Sequence, residues 1–362
     1  MGWNSWNTFG CDINEQLTRE TADSLVSSGM RDAGYRYVNI DDCWAEPERD
    51  AAGELQAHHE RFPSGIKAIA DYVHERGLEL GIYTSAGTRT CADSIPGALG
   101  HEETDARTFA EWGVDSLKYD NCHNQGTSRP PSATLRATGR PIVYSVCESG
   151  ESAPWEWAPE IGTPMAHHRR HPTGAGNRQH QVFPMGVIDI IDFNRELADH
   201  AGPGAWNDPD MLEVGVHDVD EFAGLTDTEA VTHFSMWSIM ASPLIAGNDV
   251  RAMPPHIRDI LTNREVIAVD QDELGEQGTP VRDDGDEEVW VKPLANGDKA
   301  VALFNRGPRT AMITTSTDGI GSDASTHTVR DLWHRTETTT TGEIAAPVPS
   351  HGAFLLRISP RS

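Results

Sequence analysis

Positive charge is scarce in this chain. Only 29 Lys and Arg face 56 Asp and Glu, a formal charge of −27, and such a balance repels nucleic acid and anionic membranes. Neutral partners fit better. No apolar run approaches the roughly 20 residues that span a bilayer, and Met1 is followed directly by "GWNSWNTFG" rather than by a basic, apolar export leader. Cysteine is also sparse. Cys11, Cys43, Cys91, Cys122 and Cys147 form neither a CxxC pair nor a Cys/His spacing suited to zinc. Four of them could make two bridges with one thiol left over, which suits an exported ancestry, or all could be buried thiols. The chain also lacks a Gly-rich phosphate loop and an EF-hand pattern.

What the chain does have is length and tryptophan. Its 362 residues suit a large catalytic domain with a smaller appendage, and 10 Trp suit sugar-ring packing as well as a large core. Up to about residue 272, short apolar runs alternate with segments of helical period, the pattern of repeated βα units. The expected strands are "GWNSW", "YRYVNID", "LELGIYT", "VDSLKYD", "PIVYSVC", "GAWND" and "SPLIAG". Expected helices are "TRETADSLVSSGMRDAG", opening at Thr18 and stopped by Gly34, then "GIKAIADYVHERG", "HEETDARTFAEWG" and "TDTEAVTHFSMWSIMAS". Further on come short alternating runs, "EEVWVKPL", "KAVALFNR", "TAMITTS", "THTVRDLW" and "GAFLLRIS", with Asn296-Gly297 marking a hairpin. The reading is therefore a (β/α)8 TIM barrel over residues 1–273 and an antiparallel β-domain over 274–362.

Polar residues gather where the expected strands end: Asp41, Asp42, Tyr83, Lys118, Asp120, Glu148, Asp208 and Asp210. In a (β/α)8 barrel those ends form one face, which carries the active site. Lys118 and Asp120 lie two apart on a strand and leave the same face, so the ammonium is expected to keep the Asp120 carboxylate charged, as a nucleophile requires. In "WNDPDML", Asp208 and Asp210 share a face with Pro209 between them, an arrangement expected to raise one pKa and make Asp210 a proton donor. Two carboxyl groups across one pocket, with no metal-ligand spacing, point to glycoside hydrolysis without a cofactor. Capping of strands and helices is the plainer reading of any one of these residues.

The stretches "MGWNSWNTFGC", "YVNIDDCW", "GIYTSAGTRTC", "LKYDNC", "YSVCE", "AGPGAWNDPDMLEVG", "SPLIAGND" and "AVDQDELGEQG" resemble, in order, the α-galactosidases of glycoside hydrolase family 27, in an actinobacterial-like form. The resemblance implies a (β/α)8 barrel, a C-terminal β-sandwich, a carbohydrate substrate, secretion, and hydrolysis of terminal α-galactosides with retention. By the same resemblance Asp120 is the nucleophile and Asp210 the acid/base. Asp41, Asp42 and Lys118 bind sugar hydroxyls, and Trp6 lies against the ring with Tyr83 nearby. Glu148 is the acid beside the sugar's second carbon. Cys11 pairs with Cys43 and Cys91 with Cys122, leaving Cys147 free.

Three stretches depart from the family pattern. The segment "HNQGTSRPPSATLRATGRP" reaches the next strand quickly, and Ser149 stands where the family commonly has Trp. "MAHHRRHP", residues 165 to 172, replaces a strand reading much like Trp-Arg-Thr-Thr-Gly-Asp-Ile, and its charge and lack of alternation argue against a barrel strand there. Codons ATG GCG CAC CAC CGG CGA CAT CCN encode Met-Ala-His-His-Arg-Arg-His-Pro and, moved by one nucleotide, read Trp-Arg-Thr-Thr-Gly-Asp-Ile. The expectation is a frame-shifted segment near residues 163–186, a sixth strand malformed or replaced, and reduced stability and turnover in a chain that carries it. A β-L-arabinopyranosidase on the same scaffold and a galactose-binding pseudoenzyme are the competing readings.

Overall fold

The computed structural model describes residues 1–126, 132–147, 150, 153–158, 164–167, 186–219 and 223–361, with backbone only at 132–134 and 164–167. Eight short parallel strands, β1 (Gly2–Asn4), β2 (Tyr37–Asn39), β3 (Glu79–Ser85), β4 (Ser116–Asp120), β5 (Val143–Cys147), β6 (Pro164–His167), β7 (Trp206–Asp208) and β8 (Ile245–Ala246), form one sheet in the order β7-β6-β5-β4-β3-β2-β1-β8. Leu212 closes it into a barrel. Its N–H donates to the Ile245 carbonyl at 2.8 Å, and its own carbonyl accepts from Gly247 at 3.2 Å.

Side chains inside the barrel sit in layers. Gly81, Asn39 and Ser116 share one, and a Cβ on Gly81 would fall 1.8 Å from the Asn39 Oδ1, which itself accepts from the Ser116 hydroxyl at 2.8 Å. Leu117 and Tyr119, at the alternate positions of β4, join the apolar layer under the helices. The remaining part is antiparallel: β9 (Thr279–Asp283), β10 (Glu287–Pro293), β11 (Lys299–Asn305), β12 (Ala311–Ser316), β13 (His327–Asp331), β14 (Glu337–Thr340), β15 (Glu343–Val348) and β16 (Ala353–Pro360). A six-stranded sheet, β14-β13-β16-β11-β10-β9, lies against the pair β12-β15. Along β11, Ala300, Ala302 and Phe304 pack into the barrel's apolar cluster, while Val301 and Leu303 pack into the sandwich interior. Alternation along one strand thus serves both interfaces.

The helix Asp227–Ile239 is wedged between barrel and sheet, which is why Thr232 through Ile239 are all buried. Thr226 and Glu229 cap it reciprocally. The hairpin expected at Asn296-Gly297 is present, with Leu294 and Asp298 bonded across it and Gly297 at φ +88°.

Two expectations are corrected. The first long helix runs Glu15–Ser27 rather than from Thr18, because the Asn14 side chain accepts from the Leu17 N–H at 2.8 Å and sets the start one turn earlier. Left-handed Gly29 (φ +85°) then separates it from a short turn Met30–Ala33. The second correction concerns "MAHHRRHP". Residues 164–167 form β6, paired in parallel with both β5 and β7, since backbone hydrogen bonds to two neighbours outweigh a sequence poor in strand signals. After β4, the described residues of the short connection include the six-residue helix Ser132–Ala137.

Candidate active site

Lys118 and Asp120 close β4 and are buried, both on the barrel's inner face. The Lys118 ammonium donates to Asp41 Oδ2 at 2.6 Å, and the Asn4 amide donates to the same oxygen at 2.8 Å. Asp41 sits two residues beyond β2, its N–H on the Ser5 hydroxyl at 3.0 Å and its Oδ1 accepting from the Asp42 N–H at 2.9 Å. Asp120 accepts from Tyr83 Oη at 3.0 Å through Oδ2 and from the Asn121 N–H at 3.0 Å through Oδ1. The expected Lys118–Asp120 pair is therefore part of a wider set, in which the 2.6 Å bond of the ammonium goes to Asp41 and a phenol steadies Asp120.

Asp42 takes a different part from its neighbour. Its Oδ1 accepts from the Cys43 N–H at 2.7 Å and the Ser94 hydroxyl at 3.1 Å, and its Oδ2 accepts from the Ala92 N–H at 2.9 Å. Burial raises its pKa, opposed first by the hydrogen bond from Ala92. The carboxylate ties the end of β2 to the loop bearing Cys91. Both disulfides expected by resemblance are present, Cys11–Cys43 with Cα atoms 5.3 Å apart and Cys91–Cys122 with Cα atoms 5.1 Å apart. Gly87 lets these loops meet, because a Cβ there would lie 2.1 Å from the His123 backbone.

Strand β7 ends in a bend. Asp210 donates its N–H to Asp208 Oδ1 at 3.0 Å and accepts from the Met211 N–H at 2.7 Å. It holds a left-handed φ of +87°, uncommon outside glycine. The indole of Trp237 donates to the Asp210 carbonyl at 2.9 Å. Cys147, the free buried thiol at the end of β5, stands among these charges. Burial pushes its pKa up, Lys118 pulls against that, and Asp210, Asp41 and Asp208 push it further. The strand ends thus bring together Asp41, Lys118, Asp120, Asp208 and Asp210. Trp6 begins the turn after β1, half-buried, its N–H on Asn4 Oδ1 at 2.8 Å. Glu148 and Ser149 lie outside the described residues, as do Arg169 and Arg170.

Sequence reasoning missed Asn4, Asn7 and Glu213. Glu213 stands inside the quoted "WNDPDMLEVG", and its sign was there to see: a third acid three residues after Asp210 with apolar neighbours on both sides.

A family model described as "Alpha galactosidase A" matches residues 1–272, and one described as "Alpha galactosidase C-terminal beta sandwich domain" matches residues 284–358. The alpha-galactosidase of Cyamopsis tetragonoloba is 47% identical over 369 residues, covering 100% of this chain and 86% of that protein. Alpha-galactosidase I from Mortierella vinacea superposes with a TM-score of 0.90 at 38% identity, covering 99% of this chain and 96% of the other. The alpha-galactosidase of Saccharomyces cerevisiae, solved with raffinose, gives 0.89 at 32% identity over 100% and 97%. With that fold, that sandwich and those acids at the strand ends, the chain belongs to the α-galactosidase family of glycoside hydrolases.

Proposed function

We propose that the chain releases terminal α-linked galactose from oligosaccharides with retention of configuration, using Asp120 as nucleophile and Asp210 as acid/base. The observation that carries it is the buried Asp120 at the end of β4, held by Tyr83 and Asn121 beside the Lys118–Asp41 pair. A carboxylate oxygen of Asp120 attacks the anomeric carbon as the glycosidic bond breaks, and Asp210 gives its proton to the leaving oxygen. Asp210 then takes a proton from water, whose oxygen displaces Asp120 from that carbon. Lys118, Asp41 and Trp6 hold the sugar. Relatives at 40–48% identity are α-galactosidases, which disfavours the arabinopyranosidase reading. Nitrophenyl α-galactoside should be cleaved far faster than nitrophenyl β-L-arabinopyranoside. A fluorinated galactosyl donor should label Asp120. Label on another residue rejects this nucleophile.

The place of β6 favours a second reading of the proton donor. Residues 164–167 hold a barrel strand where the restored frame reads Trp-Arg-Thr-Thr-Gly-Asp-Ile, so that motif would put an Arg in the strand and an Asp just past its end. We propose that residues 163–186 are a frame-shifted segment and that a chain with the frame restored turns over faster. Coding DNA that requires other codons across residues 165–172 rejects the frameshift. If the restored chain carrying Asp210→Asn keeps its activity, the proton donor is the restored Asp.

A further inference from the structure

Glu213 is 3% exposed and lies on the bend that carries Asp208 and Asp210. Its Oε1 accepts from the Asn7 amide at 3.0 Å, while its Oε2 is buried and has no hydrogen-bond partner among the described residues. Its N–H donates to His233 Nε2 at 3.0 Å, and the His233 ring stands edge-on to Trp237, 4.0 Å between centroids. Trp237 in turn donates to the Asp210 carbonyl. Two rings of one helix therefore hold the bend at both ends. A Glu–Asn pair joins it to the turn Trp6–Phe9, on the other side of the strand that closes the barrel.

We propose that Glu213 is a positioning residue: through Asn7 it pins the turn that presents Trp6 against the bend that presents Asp210. This rests on the reading of this mouth as the sugar site. Glu213 does so as a neutral acid. Burial and then the charge of Asp210 push its pKa up to about 8, and an anion with one oxygen unsatisfied in this setting is costly. The titratable groups facing it are Asp210 on its own bend and His233 on the helix; the Trp6–Phe9 turn offers the neutral Asn7. Neither Glu213 nor Asn7 transfers a proton to substrate. Their contribution is the fixed separation of the two walls.

The folded-state pKa of Glu213 lies above the usual 4.5, so its contribution to stability is fully present below that pH and is lost as pH rises towards 8. Glu213→Gln keeps an oxygen for Asn7 and removes the ionisation. Its melting temperature relative to wild type should therefore climb with pH between about 4.5 and 8, by several degrees in all. The ratio of variant to wild-type kcat/KM should climb about tenfold from pH 6 to pH 9. Glu213→Val, which cuts the tie, should raise KM for nitrophenyl galactoside about tenfold at pH 6, a loss of roughly one hydrogen bond's worth of positioning. A melting-temperature difference flat with pH overturns the neutral acid, and a wild-type KM in Glu213→Val overturns the positioning. The melting curves need no turnover, so an inactive chain leaves the first arm readable, and galactose-induced stabilisation then replaces KM in the second.

Discussion

Tyr83 Oη donates to Asp120 Oδ2 at 3.0 Å between adjacent strands, although the residue level with Tyr83 in the β3–β4 register is Lys118. Barrel strands tilt, so the Tyr83 ring lies 5.3 Å from the Lys118 ammonium while its hydroxyl reaches past to the carboxylate of Asp120. Asp120 is steadied by a neutral donor, and the ammonium's short bond goes to Asp41.

Removing that donor should slow the chemistry more than it weakens binding. Tyr83→Phe is expected to lower kcat by about 10- to 100-fold, the worth of one hydrogen bond to a charged group, with a smaller change in KM. Steady-state kinetics on nitrophenyl galactoside measure both, and an unchanged kcat would show that the phenol does not support Asp120.

Asp120→Asn should bind the sugar without turning over a galactoside. Galactose should still raise the melting temperature of the variant while hydrolysis falls to background. Full activity in this variant removes Asp120 from the mechanism.

Lys118 and Asp41 form a buried pair, with side chains 9% and 1% exposed. Lys118→Met leaves Asp41 charged without its cation and should cost about 3–5 kcal/mol, read as a lower urea midpoint. A stability equal to wild type would mean that water or another cation replaces the ammonium.

The Cys91–Cys122 bridge closes a loop of sequence separation 31 around the end of β4. The double replacement Cys91→Ser with Cys122→Ser should lower stability by about 3 kcal/mol and lower kcat/KM, because Cys122 follows Asp120 by two residues. Equal thermal midpoints with and without the bridge would contradict this.

Much of this site was legible along the chain because the chemistry is local to strand ends. "SLKYD" alternates, so Lys118 and Asp120 had to share a face, and "WNDPDML" had to bring two acids to one bend. The sixth strand was not legible. Residues 164–167 become β6 through hydrogen bonds to β5 and β7, and no local pattern in them announces such partners. Asp42 shows the same limit: it adjoins Asp41, yet its oxygens serve the loop at Ala92 and Ser94, about fifty residues away.

The amino-acid sequence by itself determined the repeated βα units, the antiparallel appendage and the placing of acids at strand ends, since periodicity and turn chemistry act over a few neighbouring residues. Tertiary structure alone decided which oxygen faces which donor: Lys118 on Asp41, Tyr83 on Asp120, Asn7 on Glu213. Those pairings depend on strand tilt, barrel closure and a helix wedged against the second sheet. Such relations join residues far apart in the chain, where hydrogen-bond geometry and burial, rather than neighbouring sequence, set the outcome.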